Sequence, residues 1–121
     1  FTDMLWTMAN YHRGPVAIRY PRGAGTGAVP KEHPQLLEIG QSEVLRHGRR
    51  VLLFALGNMV EMALQTADLL EAEGIDAAVI NARWIKPLDR QTLEFFARAA
   101  DVVCTFEDHV LINGFGCAVM E

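Results

Sequence analysis

Apolar and polar residues follow two rhythms along the chain, and each change of rhythm marks an element. Apolar runs at Arg50 to Leu56, Ala77 to Ala82 and Asp101 to Phe106 have the length of strands, and Ala77 to Ala82 reads as a buried one. Between them the apolar residues recur every three or four positions. Met59, Met62, Ala63, Thr66, Leu69 and Leu70 predict the packing face of a helix ending near Glu73. Asn58 with Glu61 three residues on reads as its capping box, and Gly74 as its left-handed stop. Pro87-Leu88-Asp89 leads into a second helix, capped by Asp89, with Leu93, Phe95, Phe96 and Ala99 as its packing face. Ile39 to Leu45 is also strand-like, and His47-Gly48-Arg49 predicts a hairpin joining it to Arg50–Leu56. Strands alternating with helices of ten to fifteen residues imply parallel pairing through crossovers. The fold class is therefore α/β, a three-layer unit with a mostly parallel sheet whose first strand pairs antiparallel.

The flanks are less regular. Phe1 to Tyr11 has helical spacing at Met4, Leu5 and Met8, with Thr2 as the expected cap and Leu5 and Met8 as the buried stripe. Val16 to Tyr20 reads as a short strand after a Gly14-Pro15 turn. Gly23 to Glu38 is rich in Gly and Pro without a hydrophobic period, the pattern of an interdomain linker. Phe115 to Glu121 begins an apolar helix that stops after about two turns, too short to stand without partners. Both ends read as cut elements, and the expectation is a fragment of a longer chain, the alternative being flanking parts supplied as other polypeptides.

Composition narrows the function. With 11 basic and 15 acidic residues in 121, the formal charge is −4, and no basic face interleaved with aromatics offers a nucleic-acid footprint. Arg46, Arg49 and Arg50 flank a turn and read as solvated. No apolar run nears the roughly 20 residues of a membrane span, and no signal segment opens the chain. Cys104 and Cys117 lack any metal spacing, so reduced thiols and a cytoplasmic protein are expected.

Most candidate chemistry has an ordinary structural reading. Asn113-Gly114-Phe115-Gly116 precedes a helix but lacks the third glycine of a dinucleotide fingerprint and the lysine of a P-loop, which leaves close backbone packing. Glu107 and Asp108 beside His109 suggest acid–base work, yet neighbours in an extended stretch point to opposite faces. His12, His33 and His47 read as surface residues. Arg83 and Lys86 frame Trp84-Ile85 and suit a stem contact or salt bridge. Arg22 stands apart. In Ala17-Ile18-Arg19-Tyr20-Pro21-Arg22-Gly23, Pro21 ends strand pairing and Gly23 turns the chain away. Arg22 is thereby expected beyond a strand's carboxyl end, where a charged fork suits a phosphate or carboxylate. An interdomain ion pair is the alternative.

Nearly the whole chain resembles the 1-deoxy-D-xylulose-5-phosphate synthases of the transketolase superfamily. The resemblance rests on Gly14-Pro15-Val16-Ala17-Ile18-Arg19-Tyr20-Pro21-Arg22-Gly23 and Leu37-Glu38-Ile39-Gly40. It continues through Asn81-Ala82-Arg83-Trp84-Ile85-Lys86-Pro87-Leu88-Asp89 and Gly114-Phe115-Gly116. It implies the end of a thiamine-diphosphate pyrimidine-binding domain at 1–23, a linker at 24–36 and a truncated transketolase C-terminal-like domain at 37–121. It also implies a homodimeric enzyme that uses thiamine diphosphate and Mg²⁺ to condense pyruvate with D-glyceraldehyde 3-phosphate, releasing carbon dioxide, for isoprenoid synthesis. Arg22 matches the family arginine that holds the phosphate of glyceraldehyde 3-phosphate. The cofactor, metal and acid–base residues of the family lie in parts upstream of Phe1, so no catalytic, cofactor or metal residue is expected here and the chain alone should be inactive. A non-catalytic dimerisation module and a fragment of a 2-oxoacid dehydrogenase β subunit are the alternative readings.

Overall fold

The computed structural model describes residues 1–23, 25 and 27–121, which form two compact units, Phe1–Ile39 and Gly40–Glu121. The linker expectation at residues 24 and 26 lies outside the described residues.

Among its described residues the first unit carries one helix, α1 (Thr2–Ala9). Phe1, not Thr2, occupies its N-cap position, and no side chain caps it. Its buried residue is Thr7; of the expected stripe Met8 is half-buried and Leu5 is exposed. The cause is polar: the Thr7 hydroxyl donates to the Asp3 carbonyl at 2.7 Å and accepts the Leu37 N–H at 2.9 Å. Asp3 likewise accepts from Gln35 N–H and Lys31 Nζ, so the 31–37 segment is tied along the helix. The Lys31 ammonium and, next, the Gln35 N–H hold the Asp3 carboxyl below its usual value. No strand forms over Val16–Tyr20. A strand needs a ladder partner for its backbone groups, and none exists for this segment among the described residues.

The second unit is a four-stranded sheet: β1 (Glu43–Arg46), β2 (Val51–Ala55), β3 (Ala77–Asn81) and β4 (Val102–Phe106), in the order β1-β3-β2-β4. β2 runs parallel to β3 and to β4, and Leu53 stands opposite Val79 and Cys104. β1 is antiparallel, as its pattern indicated, but pairs with β3. The expected hairpin with β2 does not form. Both sides of β2 are taken by parallel neighbours, which leaves short, half-exposed β1 the far edge of β3. Gly48 makes that crossing possible: a Cβ on it would lie 2.2 Å from the Ala77 carbonyl carbon.

Alternation along the strands sorts the core into two layers. Leu52, Phe54, Ala78, Ile80 and Ala82 pack on one face with Leu93 and Phe96 of α3 (Arg90–Ala97) and Phe115 of α4 (Phe115–Met120). Leu53, Ala55, Ala77 and Val79 pack on the other with Ala63 and Ala67 of α2 (Met59–Ala72). Both helix faces differ from the expected stripes. In α2 the seam runs through Val60, Ala63, Leu64, Ala67 and Leu70, because small residues let the helix approach the sheet; Met62 and Leu69 face out. In α3, Leu93 and Phe96 are one turn apart and buried, whereas Phe95 and Ala99 are exposed. Asn58 does not cap α2, since its backbone is already helical and its amide is engaged elsewhere. Asp89 does cap α3, accepting the Thr92 N–H at 3.0 Å, and Gly74 has the left-handed φ of 76° expected of a helix stop.

Candidate functional site at the carboxyl edge of the sheet

The chain leaves β2 for the α2 face, but leaves its neighbours β3 and β4 for the face covered by α3 and α4. Neighbouring exits that part in this way open a crevice at the carboxyl ends of the strands, the usual ligand position in open α/β sheets. Three short segments rim it: Gly57-Asn58 after β2, Ala82-Arg83 after β3 and Glu107-Asp108 after β4.

Arg83 is the most constrained of these residues. Its φ of 57° lies in the left-handed region, unusual for a non-glycine residue and a strain of about 1–3 kcal/mol. A ring of polar contacts imposes it. The Arg83 N–H donates to Asn81 Oδ1 at 3.2 Å, and Asn81 Nδ2 donates to Glu43 Oε2 at 3.3 Å. The same Glu43 oxygen lies 2.7 Å from the Arg83 guanidinium. The salt bridge read from sequence is therefore present. The fork is held by one contact, and its other N–H groups have no ion-pair partner among the described residues.

Glu107 and Asp108 point to separate tasks. Glu107 Oε2 accepts the Phe115 N–H at 2.6 Å and Oε1 the Gly116 N–H at 2.8 Å, so its carboxylate closes the first turn of α4. Gly114 permits this approach: a Cβ on it would stand 2.2 Å from the Val110 carbonyl oxygen and 2.6 Å from Glu107 Oε2. The glycine-rich loop thus serves close packing. Asp108 instead accepts from Asn58 Nδ2 at 3.3 Å, bridging the exits of β2 and β4. The two carboxylates do not form an acid–base set.

Arg22 lies in the first unit, exposed, in a stretch without helix or strand. The strand whose end was to present it is absent, while its free, exposed guanidinium is retained; it enters none of the ion pairs among the described residues. The arginines near the 47–49 turn are partly engaged. Arg46 pairs with Asp68 at 2.7 Å and Glu71 at 2.6 Å, and Arg50 with Asp101 at 3.0 Å. An open hollow of about 660 Å³ lies at the opposite, amino edge of the sheet, lined by His47, Arg49, Asp76, Phe95, Phe96 and Arg98, away from the crevice. Cys104 and Cys117 are free thiols. Among the described residues no group of three His, Cys, Asp or Glu side chains could hold a metal ion, and no helix is long and apolar enough to cross a membrane.

Residues 40–121 match the family model described as "Transketolase, C-terminal domain". The chain belongs to this family. The match agrees with the mixed, mostly parallel α/β architecture of the second unit. A 1-deoxy-D-xylulose-5-phosphate synthase of Methylacidiphilum infernorum is 56% identical over 119 residues, covering 98% of this chain and 19% of that protein. Namesakes from Heliobacterium modesticaldum and Synechocystis sp. are each 49% identical over 98% of the chain, covering 18% and 19% of their own lengths. The chain thus spans about a fifth of the length of these relatives. A solved structure titled "Split gene transketolase, inactive beta4 tetramer" superposes with a TM-score of 0.67 at 44% identity, covering 69% of this chain and 28% of that one.

Arg83 forms the salt bridge read from the sequence, but its left-handed backbone was not foreseen. Only its backbone sets it apart, and left-handed φ at an arginine leaves no trace in composition or periodicity.

Proposed function

We propose that the chain is the C-terminal part of a 1-deoxy-D-xylulose-5-phosphate synthase, a transferase that condenses pyruvate with D-glyceraldehyde 3-phosphate on the route to isoprenoids. The supporting observation is 56% identity to such an enzyme across 98% of the chain. Within this reading, 1–23 is the end of a pyrimidine-binding domain, 24–36 a linker and 37–121 the transketolase C-terminal-like domain. Thiamine diphosphate and Mg²⁺ supply the carbanion chemistry and are bound by parts of the enzyme outside this chain. The enzyme is cytoplasmic and homodimeric. Arg22 holds the phosphate of the acceptor aldehyde through a charge-assisted contact, and orients it for attack. Arg83, whose fork is engaged by Glu43 through one contact alone among the described residues, is proposed as a further anion-holding residue.

The isolated chain is inactive in this reading, because the cofactor and acid–base residues belong to the parts of the enzyme outside it. The reading is tested with the longer polypeptide containing this segment, supplied with pyruvate and either glyceraldehyde 3-phosphate or lipoamide as acceptor. Turnover with the aldehyde phosphate supports the synthase. Turnover with lipoamide alone assigns the segment to a 2-oxoacid dehydrogenase β subunit.

A further inference from the structure

The loop from β4 to α4 carries three consecutive aliphatic residues into solvent: Val110, Leu111 and Ile112 are 60%, 83% and 76% exposed. The loop is fastened on both sides of this tip. Glu107 binds the Phe115 and Gly116 amides, and the Cys117 thiol donates to the Leu111 carbonyl at 3.0 Å. Asn113 turns the chain with a left-handed φ of 59°, and Gly114 packs directly on the Val110 carbonyl. An apolar tip held in one shape by its own base is pre-organised for a partner, because little conformational freedom remains to be lost on docking.

We infer that Val110, Leu111 and Ile112 form a docking tip that inserts into an apolar recess on the remaining part of the same polypeptide. This rests on the proposed reading, in which the chain is one fifth of a longer enzyme, as its relatives' lengths indicate. Patch size favours that occupant over a second copy. Three aliphatic side chains fall well short of the roughly 800 Å² per partner that a stable association buries. Within one polypeptide the partner is already at high effective concentration, so a small patch suffices. Docking there would also seat the carboxyl edge, with Arg83, against the rest of the enzyme.

Hydroxyl-radical footprinting tests this on the 121-residue chain and on the longer polypeptide. Leu111 and Ile112 should label readily in the first and several-fold more slowly in the second. The double variant Leu111→Ser/Ile112→Ser should lower the melting temperature of the longer polypeptide and leave that of the 121-residue chain unchanged. Equal labelling in both proteins overturns the inference. So does protection that grows with concentration in the 121-residue chain, which would assign the tip to a second copy. The acceptor assay reads the activity separately: a protected tip in a polypeptide without synthase turnover removes the functional reading and leaves the docking intact.

Discussion

Asp89 receives Ser42 twice: one carboxylate oxygen accepts the Ser42 N–H at 2.8 Å and its hydroxyl at 2.7 Å. The other oxygen accepts the Thr92 N–H at the start of α3. One side chain therefore fastens the entry to edge strand β1 and caps a helix 47 residues further along. The sequence pattern announces the cap; the serine contact follows only from the placement of β1 beside β3.

This arrangement makes stability depend on acid. Partial burial pushes the Asp89 carboxyl up, but the Ser42 N–H, the Ser42 hydroxyl and the Thr92 N–H outweigh it and bring it down to about 2 from 3.8. A carboxylate with a depressed folded-state value contributes stability that is complete above its unfolded value and is lost as pH falls through the folded one. Asp89→Ala should cost about 0.5–2 kcal/mol at pH 7. The gap between wild type and variant, read from urea midpoints, should narrow between about pH 4 and pH 2. A gap that stays constant over that range would mean that the carboxylate charge plays no part.

Glu107 and Asp108 are adjacent in sequence, yet substitution should separate them. Glu107→Gln leaves one acceptor oxygen for two amides and turns an NH₂ towards the other, a loss of about 1.5–3 kcal/mol. Asp108→Asn touches one exposed bond of 3.3 Å and should stay within about 0.5 kcal/mol. Gly114→Ala should cost at least as much as Glu107→Gln, because its Cβ meets the Val110 carbonyl oxygen and also the Glu107 carboxylate. Chemical denaturation of the three variants checks the order, and equal costs for Glu107→Gln and Asp108→Asn would refute the helix-start role.

What could be read from the sequence depended on the range of the forces involved. The buried runs of β2 and β3, the Asp89 cap and the Gly74 stop are set by neighbours within a few residues, and each stands where its pattern puts it. Strand order was hidden, because a turn at Gly48 serves a hairpin and a crossing equally well until β3 is in place. The exposure of Phe95 and Leu69 was hidden for the same reason: a list of apolar residues fixes a helix face only to within one position. In the crevice, the extended Glu107-Asp108 stretch already argued against an acid–base pair, but the two backbone amides that Glu107 binds have no side-chain signature.

Arg22 bears on acceptor binding in the proposed enzyme. In the longer polypeptide, Arg22→Ala should raise the KM for glyceraldehyde 3-phosphate about 10–100-fold while leaving that for pyruvate nearly unchanged. Arg22→Lys should recover only part of the loss, since it keeps the charge and gives up the fork. Equal losses for both substrates in steady-state kinetics would show that Arg22 acts on the fold instead.

Arg83 allows stability and function to be read apart. Arg83→Ala keeps a left-handed backbone at a non-glycine residue and loses the Glu43 pair, whereas Arg83→Gly loses the same pair but relieves the strain. The glycine variant should therefore be the more stable of the two by about 1 kcal/mol. Both lack the guanidinium, so in the longer polypeptide both should lose acceptor affinity to the same degree. Equal affinity losses at unequal stability would place the cost in the missing charge. If affinity instead recovers in the glycine variant along with stability, the strained arginine is a structural device and holds no anion.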